Sequence, residues 1–227
     1  MVFLKKKTCT NYLMDIERFI QQLKHELGKP LPGKEAQLQM SSMRRIRELM
    51  DVSATNNAVL SSVLILLFPS DNKQELQIVF IQRPDYDGIH GGQISLPGGK
   101  HEDSDDSMVI TALRESKEEI GIIPADVTII GQLSDLYIPP SNYLVMPFVG
   151  YTLNRPDFKP DPQEVAAIVQ VNIDDLKNDH FLKWKNILIR SGISIYAPCF
   201  EIEGHTIWGA TAMIVNEFKA ILRKIPS

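Results

Sequence analysis

The chain predicts a mixed α/β fold, and three observations carry that assignment. Apolar residues recur at helical spacing near the N-terminus; two apolar runs at 58–68 and 76–81 have strand length; and a further helical stretch at 107–120 separates these from later strand-like runs and a last helix. The order helix, strands, helix, strands, helix places helices on a mixed sheet. A chain of 227 residues forms one large domain, or one domain with an extension, and buries a sizeable core without staples.

Residues 11–26 read as an amphipathic helix, with Leu13, Ile16, Phe19, Ile20, Leu23 and Leu27 three and four apart, stopped by Gly28 and by Pro30 to Gly33. A second helix is expected over Glu35 to Met50, carrying Arg44, Arg45 and Arg47. Residues 1–55 thus form an N-terminal helical extension packed on a domain spanning 56–227. Ala58 to Phe68 is a nearly unbroken apolar run, as expected of a strand buried on both faces. The turn Asp71-Asn72-Lys73 makes it a hairpin with Leu76 to Ile81. A loop from Gly88 to Gly99 holds five glycines in twelve residues, with a short β-like tail at Ile94 to Leu96. The clearest helix, 107–120, stops at Gly121. Strands follow at 127–133, 144–153, 165–173 and 193–202, with a helix start at Asp174. Gly204-His205 is a turn, and the last helix runs from Ala210 to Leu222.

A net charge of −4 with 23% charged residues argues against general nucleic-acid or anionic-membrane binding. No apolar stretch approaches the ~20 residues of a membrane span, and the N-terminus lacks a signal-peptide core, so the expectation is a cytoplasmic protein. Cys9 and Cys199 form no metal-binding spacing and read as free thiols. Oligomeric state is not legible.

One segment departs from ordinary composition. Glu102 to Glu119 holds seven acids and two bases, a local charge of −5. Glu115, Glu118 and Glu119 stand at i, i+3 and i+4, which brings three carboxylates together on a helix whose dipole disfavours them at its C-terminal end. A solvated acidic face is the ordinary fate of such a run; a bound cation is the other way to relieve the repulsion. Hard oxygen donors select Mg²⁺ or Mn²⁺. Pro97-Gly98-Gly99-Lys100, just upstream, lets the backbone approach closely. A glycine loop before an acidic helix suits hydrolysis of a phosphate ester or anhydride by metal-activated water.

Residues 99–122, GKHEDSDDSMVITALRESKEEIGI, resemble the signature box of the Nudix hydrolases. Arg114, Glu115, Glu118, Glu119, Gly121 and Ile122 match its second half, with Ser116 in place of an apolar residue. The interval from Gly99 to Arg114 is one residue longer than in the plain box, and Asp105 or Asp106 replaces the early Glu. The longer interval, together with Arg83-Pro84 and His90-Gly91-Gly92-Gln93-Ile94-Ser95-Leu96-Pro97-Gly98-Gly99, is similar to the coenzyme A pyrophosphatase branch of that family. Met146 to Gly150, Asp161 to Val165 and Ile207 to Ala212 also resemble that branch.

The resemblance implies an α/β/α sandwich, a mixed sheet between helices, with the N-terminal helical extension added. It implies that Glu115, Glu118 and Glu119, with the Gly99 carbonyl, hold Mg²⁺ or Mn²⁺. Arg114 anchors the glutamates. Glu115 or a neighbour, or Glu164 on a distant loop, serves as the water-activating base. Arg83, His90, Gly98, Gly99 and Lys100 face the substrate. Arg44, Arg45 and Arg47 fit a substrate 3′-phosphate but read more simply as a basic helix face; Trp208 and Tyr143 read as packing residues. The implied reaction is hydrolysis of the diphosphate of coenzyme A or a derivative to 3′,5′-ADP and 4′-phosphopantetheine. Other readings are a Nudix pyrophosphatase acting on ADP-ribose, NADH or a dinucleotide polyphosphate, a non-catalytic nucleotide-sensing module, and an isomerase of isopentenyl diphosphate. The last wants a catalytic Cys near the site, and neither cysteine lies in a suggestive motif.

Overall fold

The structure is a computed structural model that describes residues 9–42, 57–72, 75–85, 91–188 and 192–226, with side chains from Asp15 onward. The helix expected over 35–50 lies partly outside these residues, and Arg44, Arg45, Arg47 and His90 lie wholly outside them.

An eight-stranded mixed sheet forms the frame. Its axis is β1 (Val59–Pro69), which runs parallel to β7 (Tyr143–Tyr151) over nine register pairs. On its other edge β1 pairs antiparallel with β4 (Gly98–Lys100) through Ser61 to Val63, and with β2 (Leu76–Gln82) through Leu67 to Pro69. β8 (Ala167–Asn172) covers the outer edge of β2, while β3 (Ile94–Ser95) joins the inner edge at Ile81 and Gln82. β5 (Thr128–Gln132) and β6 (Leu136–Ile138) pair with β7. A second, three-stranded antiparallel sheet holds β9 (Leu182–Leu188), β10 (Ser194–Ile202) and β11 (His205–Trp208).

The nearly unbroken apolar run of β1 is explained by two cores, because alternate side chains of a strand point to opposite faces. Leu64, Leu66 and Phe68, with Val79 and Ile81 of β2, pack under α3 (Met108–Ile120) against Ala112 and Ile120. Ile65 and Leu67, with Ile78 and Phe80, pack on the other face against α1 (Cys9–Leu27) and α5 (Gly209–Leu222), through Ile16, Ile20, Leu23, Met213 and Phe218. Each fully buried leucine here contributes about 1.5–3 kcal/mol. The arrangement is an α/β/α sandwich.

Several elements differ from the sequence expectation. α2 (Gly33–Leu38) is short: the Ala36 carbonyl that would accept the Met40 N–H in a continuing helix takes Asn216 Nδ2 at 2.7 Å instead. Met40 N–H turns to the Gln37 carbonyl at 3.1 Å and the helix ends. The buried carboxylate of Glu217 fixes this segment by accepting from Gly33 N–H, Gln37 Nε2 and Ser134 N–H. Pro97 to Gly99, expected as loop, contributes Gly98–Lys100 as β4. β6, β9 and β11 lie where no strand was expected, and His205, expected in a turn, opens β11. Residues 173–188 form α4 (Ile173–Lys177) and β9, and between them Asp179 is tied to Lys219 and Arg223 of the α5 region, both at 2.7 Å.

Candidate active site

α3 is a self-delimiting helix. Ser107 Oγ accepts from the Ile110 N–H at its start, and Gly121 in the left-handed region (φ 72°) ends it. Its last carbonyls are capped by a separate loop: Lys159 N–H donates to the Ile120 carbonyl at 2.9 Å, and Asp161 N–H to the Glu119 carbonyl at 3.0 Å. Three residues beyond Asp161 stands Glu164, so the loop that closes the helix also delivers this carboxylate to it.

The three box glutamates do not share one environment. Glu119 is buried at 3% exposure and accepts the Gly98 N–H at 2.7 Å. Burial drives its pKa up to about 8, against the opposing Gly98 N–H and the Arg83 charge; Glu115 and Glu164 push the same way as burial. Glu115 is partly buried, and its pKa is likewise raised, first by burial and against the pull of Arg114. Glu118 is exposed, its side chain 53% accessible. Arg114 Nη1 bonds both Glu115 and Glu118 at 3.0 Å. The guanidinium thus reaches two of the three glutamates, and a backbone N–H takes the third.

Arg114 is itself held from below. Asp105, buried at 8% exposure, receives its Nε and Nη2, each at 2.9 Å, together with the Glu102 N–H and the Thr111 hydroxyl. Those hydrogen bonds, the Arg114 pair foremost, hold the Asp105 carboxyl far below the usual carboxylate range, and Asp105 raises Arg114 above its own. Asp105 rather than the exposed Asp106 thus stands where the early acid of the box belongs. The segment is one residue longer and the acid one methylene shorter, and the pair still closes. Ser116, in place of an apolar residue, is fully buried because its hydroxyl donates to the Ala112 carbonyl at 2.7 Å.

The glycines shape the opposite wall. Gly98 sits at φ 143°, where a Cβ would overlap the Ser62 carbonyl and Val63 Cα; a Cβ on Gly99 would fall on the Glu115 carboxylate. The Gly99 carbonyl accepts the Ser61 hydroxyl at 2.7 Å. Ser61 and Ser62 were not picked out as site-shaping residues; two hydroxyls inside an otherwise apolar strand were the available signal. Arg83 continues β2 beyond Gln82, its N–H bonded to the Gln93 carbonyl at 3.0 Å, and its charge acts on Glu119. Lys100 is exposed; its carbonyl, not its ammonium, contacts the network, at Arg114 Nη2.

Among the described residues no three His, Cys, Asp or Glu side chains are already gathered as a metal-ligand cluster. The donors nonetheless fit a divalent cation. Glu115 and Glu119 are hard oxygen donors one turn apart, both disfavoured as bare anions by burial, and they face a backbone with no Cβ in the way. A separate open polar cavity of about 550 Å³, lined by Ser70, Arg155, His205 and neighbours, holds none of these groups.

A sheet between helical layers, with a glycine strand set against paired carboxylates on a capped helix, defines an α/β/α sandwich with an acidic site at the end of one helix. The chain belongs to the Nudix family: the NUDIX domain profile matches residues 60–190. It is 31% identical over 151 residues to an uncharacterized Nudix hydrolase, NudL, of Yersinia enterocolitica, covering 66% of this chain and 76% of that one. It is 32% identical over 167 residues to the NudL of Yersinia pestis, covering 72% and 79%. In fold it is similar to a Nudix hydrolase from M. smegmatis, RenU, with a TM-score of 0.52 at 14% identity, covering 75% of this chain and 89% of that one. No helix among the described residues is long and apolar enough to cross a membrane.

Proposed function

We propose that this Nudix hydrolase cleaves the diphosphate of coenzyme A or a coenzyme A derivative, releasing 3′,5′-ADP and 4′-phosphopantetheine. The observation that supports the reading is that the Arg83 charge acts on the buried Glu119, because Arg83 opens the upstream motif that marks the coenzyme A branch.

Glu115, Glu118 and Glu119, with the Gly99 carbonyl, are the residues that would hold Mg²⁺ or Mn²⁺. Glu118, bonded to Arg114 in the structure, would have to exchange that partner to join them, while Asp105 keeps Arg114 in place. When bound, the divalent ion would neutralise diphosphate charge and lower the pKa of the attacking water. The protein's own residues do the remainder. Gly98 N–H orients Glu119, and Arg114 orients Glu115. Arg83 engages phosphoryl oxygens, with Lys100 and His90 as further substrate-facing candidates. Glu164, delivered by the loop that caps α3, takes the proton from water as its oxygen attacks phosphorus in line and the anhydride P–O bond breaks. No covalent enzyme intermediate forms.

A substrate panel with product identification tests the reading. Coenzyme A, its acyl and disulfide forms, ADP-ribose and NADH are compared with Mg²⁺ and with Mn²⁺. Turnover of coenzyme A compounds at least 10-fold above ADP-ribose and NADH is expected. The reverse order overturns the coenzyme A assignment and leaves the hydrolase class intact.

A further inference from the structure

We propose that Ser95 contacts the substrate, its hydroxyl donating to a non-bridging phosphoryl oxygen beside the one engaged by Arg83. Ser95 stands opposite Ile81 in the β2–β3 pairing, and residues directly opposite in an antiparallel pair project to the same face. Ile81 belongs to the core beneath α3, so Ser95 projects toward the layer that carries Glu115 and Glu119. Arg83, two residues beyond Ile81 along the strand, projects to that face as well. Three residues after Ser95 comes Gly98, whose N–H holds Glu119. The Ser95 hydroxyl is buried without a hydrogen-bond partner. The residue as a whole keeps partial exposure, so Ser95 lies at the edge of the core although its hydroxyl oxygen is covered.

An unpaired buried hydroxyl is a cost that folded proteins rarely leave standing. Neighbouring groups on this face define what would satisfy it. Among the described residues no hydrogen bond or ion pair engages the Arg83 guanidinium, and the nearby acids Glu119, Glu115 and Glu164 repel an anion unless a cation lies between. A guanidinium and a hydroxyl on one side, with cation-binding carboxylates on the other, suit a phosphoryl group carrying its metal. The inference rests on the diphosphate-hydrolase reading but not on the choice of coenzyme A.

The test pairs activity with stability in Ser95→Ala. A hydroxyl kept for substrate alone gives a variant with unchanged or higher Tm and kcat/KM reduced about 10-fold or more, on whichever of coenzyme A or ADP-ribose the wild type hydrolyses. Thr152→Ala removes another unpaired buried hydroxyl, on the strand end away from the site; it is expected to match Ser95→Ala in Tm while keeping wild-type kcat/KM. A Ser95→Ala enzyme within two-fold of wild type, or one whose lost activity tracks a lowered Tm, overturns the proposal. If wild type hydrolyses neither compound, the functional reading has failed separately. Ser95 is then judged by calorimetric binding of methylenediphosphonate with Mn²⁺, where affinity unchanged in Ser95→Ala overturns it and about 10-fold weakening supports it.

Discussion

The Gly98 N–H donates to Glu119 Oε2 at 2.7 Å, so a glycine strand and the carboxylate most deeply buried in the site are locked together across 21 residues of sequence. The single N–H does not offset the burial, which is why the carboxyl stays far above its ordinary pKa. Glu119→Gln keeps an acceptor for Gly98 and a similar volume, so it is expected to fold. It removes the charge that a cation would meet. The expected result is a loss of at least ~100-fold in kcat, the scale found when a key electrostatic group is deleted. Calorimetric titration with Mn²⁺ should show weaker binding in parallel. Activity within a few-fold of wild type removes Glu119 from the site.

The two glycines of β4 should fail differently. A methyl group on Gly98 meets backbone at a φ of 143°, and neither partner can yield. Gly98→Ala is expected to lose about 3 kcal/mol or more of stability. A methyl group on Gly99 meets only the Glu115 carboxylate, the far end of a flexible side chain. Gly99→Ala should keep stability to within about 1 kcal/mol and lose about 100-fold in kcat, because a displacement of ~1 Å at a reacting group has that effect. Denaturant melts and steady-state kinetics on both variants separate the cases; equal melting of the two contradicts the assigned geometry.

What was legible in sequence follows from how each element is buried. β1 and α3 announced themselves because both faces of the one and one stripe of the other are apolar. β9 did not: Lys183, Trp184, Lys185 and Asn186 are all exposed, so no alternation marks the strand. β4 is three residues long with two glycines, and its pairing with β1 is purely tertiary. In the site, the i, i+3, i+4 spacing groups all three glutamates; four residues advance a helix by little more than one turn, so Glu115 and Glu119 share a face. Glu118 sits about 100° around the helix from Glu119, and spacing alone could not say which of the three faces the sheet. The choice between Asp105 and Asp106 was equally closed to sequence, because it depends on how one loop folds back onto Arg114.

That choice is open to mutation. Asp105 is buried against Arg114, while Asp106 is exposed. Asp105→Ala leaves a largely covered guanidinium without its bidentate partner and is expected to lower stability by about 3 kcal/mol. Freed from Asp105, Arg114 settles on Glu115 and Glu118, so kcat should fall as well, and raising Mn²⁺ concentration should partly restore it. Asp106→Ala should stay within about 0.5 kcal/mol of wild type with unchanged kinetics. Swapped outcomes would assign the supporting role to Asp106.

The segment between α4 and β9 makes a prediction of its own. Asp179 receives Lys219 Nζ and Arg223 Nη2, and these two hydrogen bonds, Lys219 first, bring its carboxyl down to about 2. Lys219 is only 3% exposed and also lies over the Phe200 ring, so its ammonium depends on this partner. Asp179 is mostly exposed, which screens the pair and keeps its contribution on the order of 1 kcal/mol. Because the folded pKa lies below the unfolded one, the unfolded chain binds the proton more readily. The contribution is therefore complete above about pH 4 and disappears as pH falls through about 2. Asp179→Asn should be less stable than wild type at pH 7, and the gap should close between pH 4 and pH 2 in denaturant melts. A gap that persists unchanged at pH 2 would mean that the carboxylate's charge is not what holds α4 and β9 against α5.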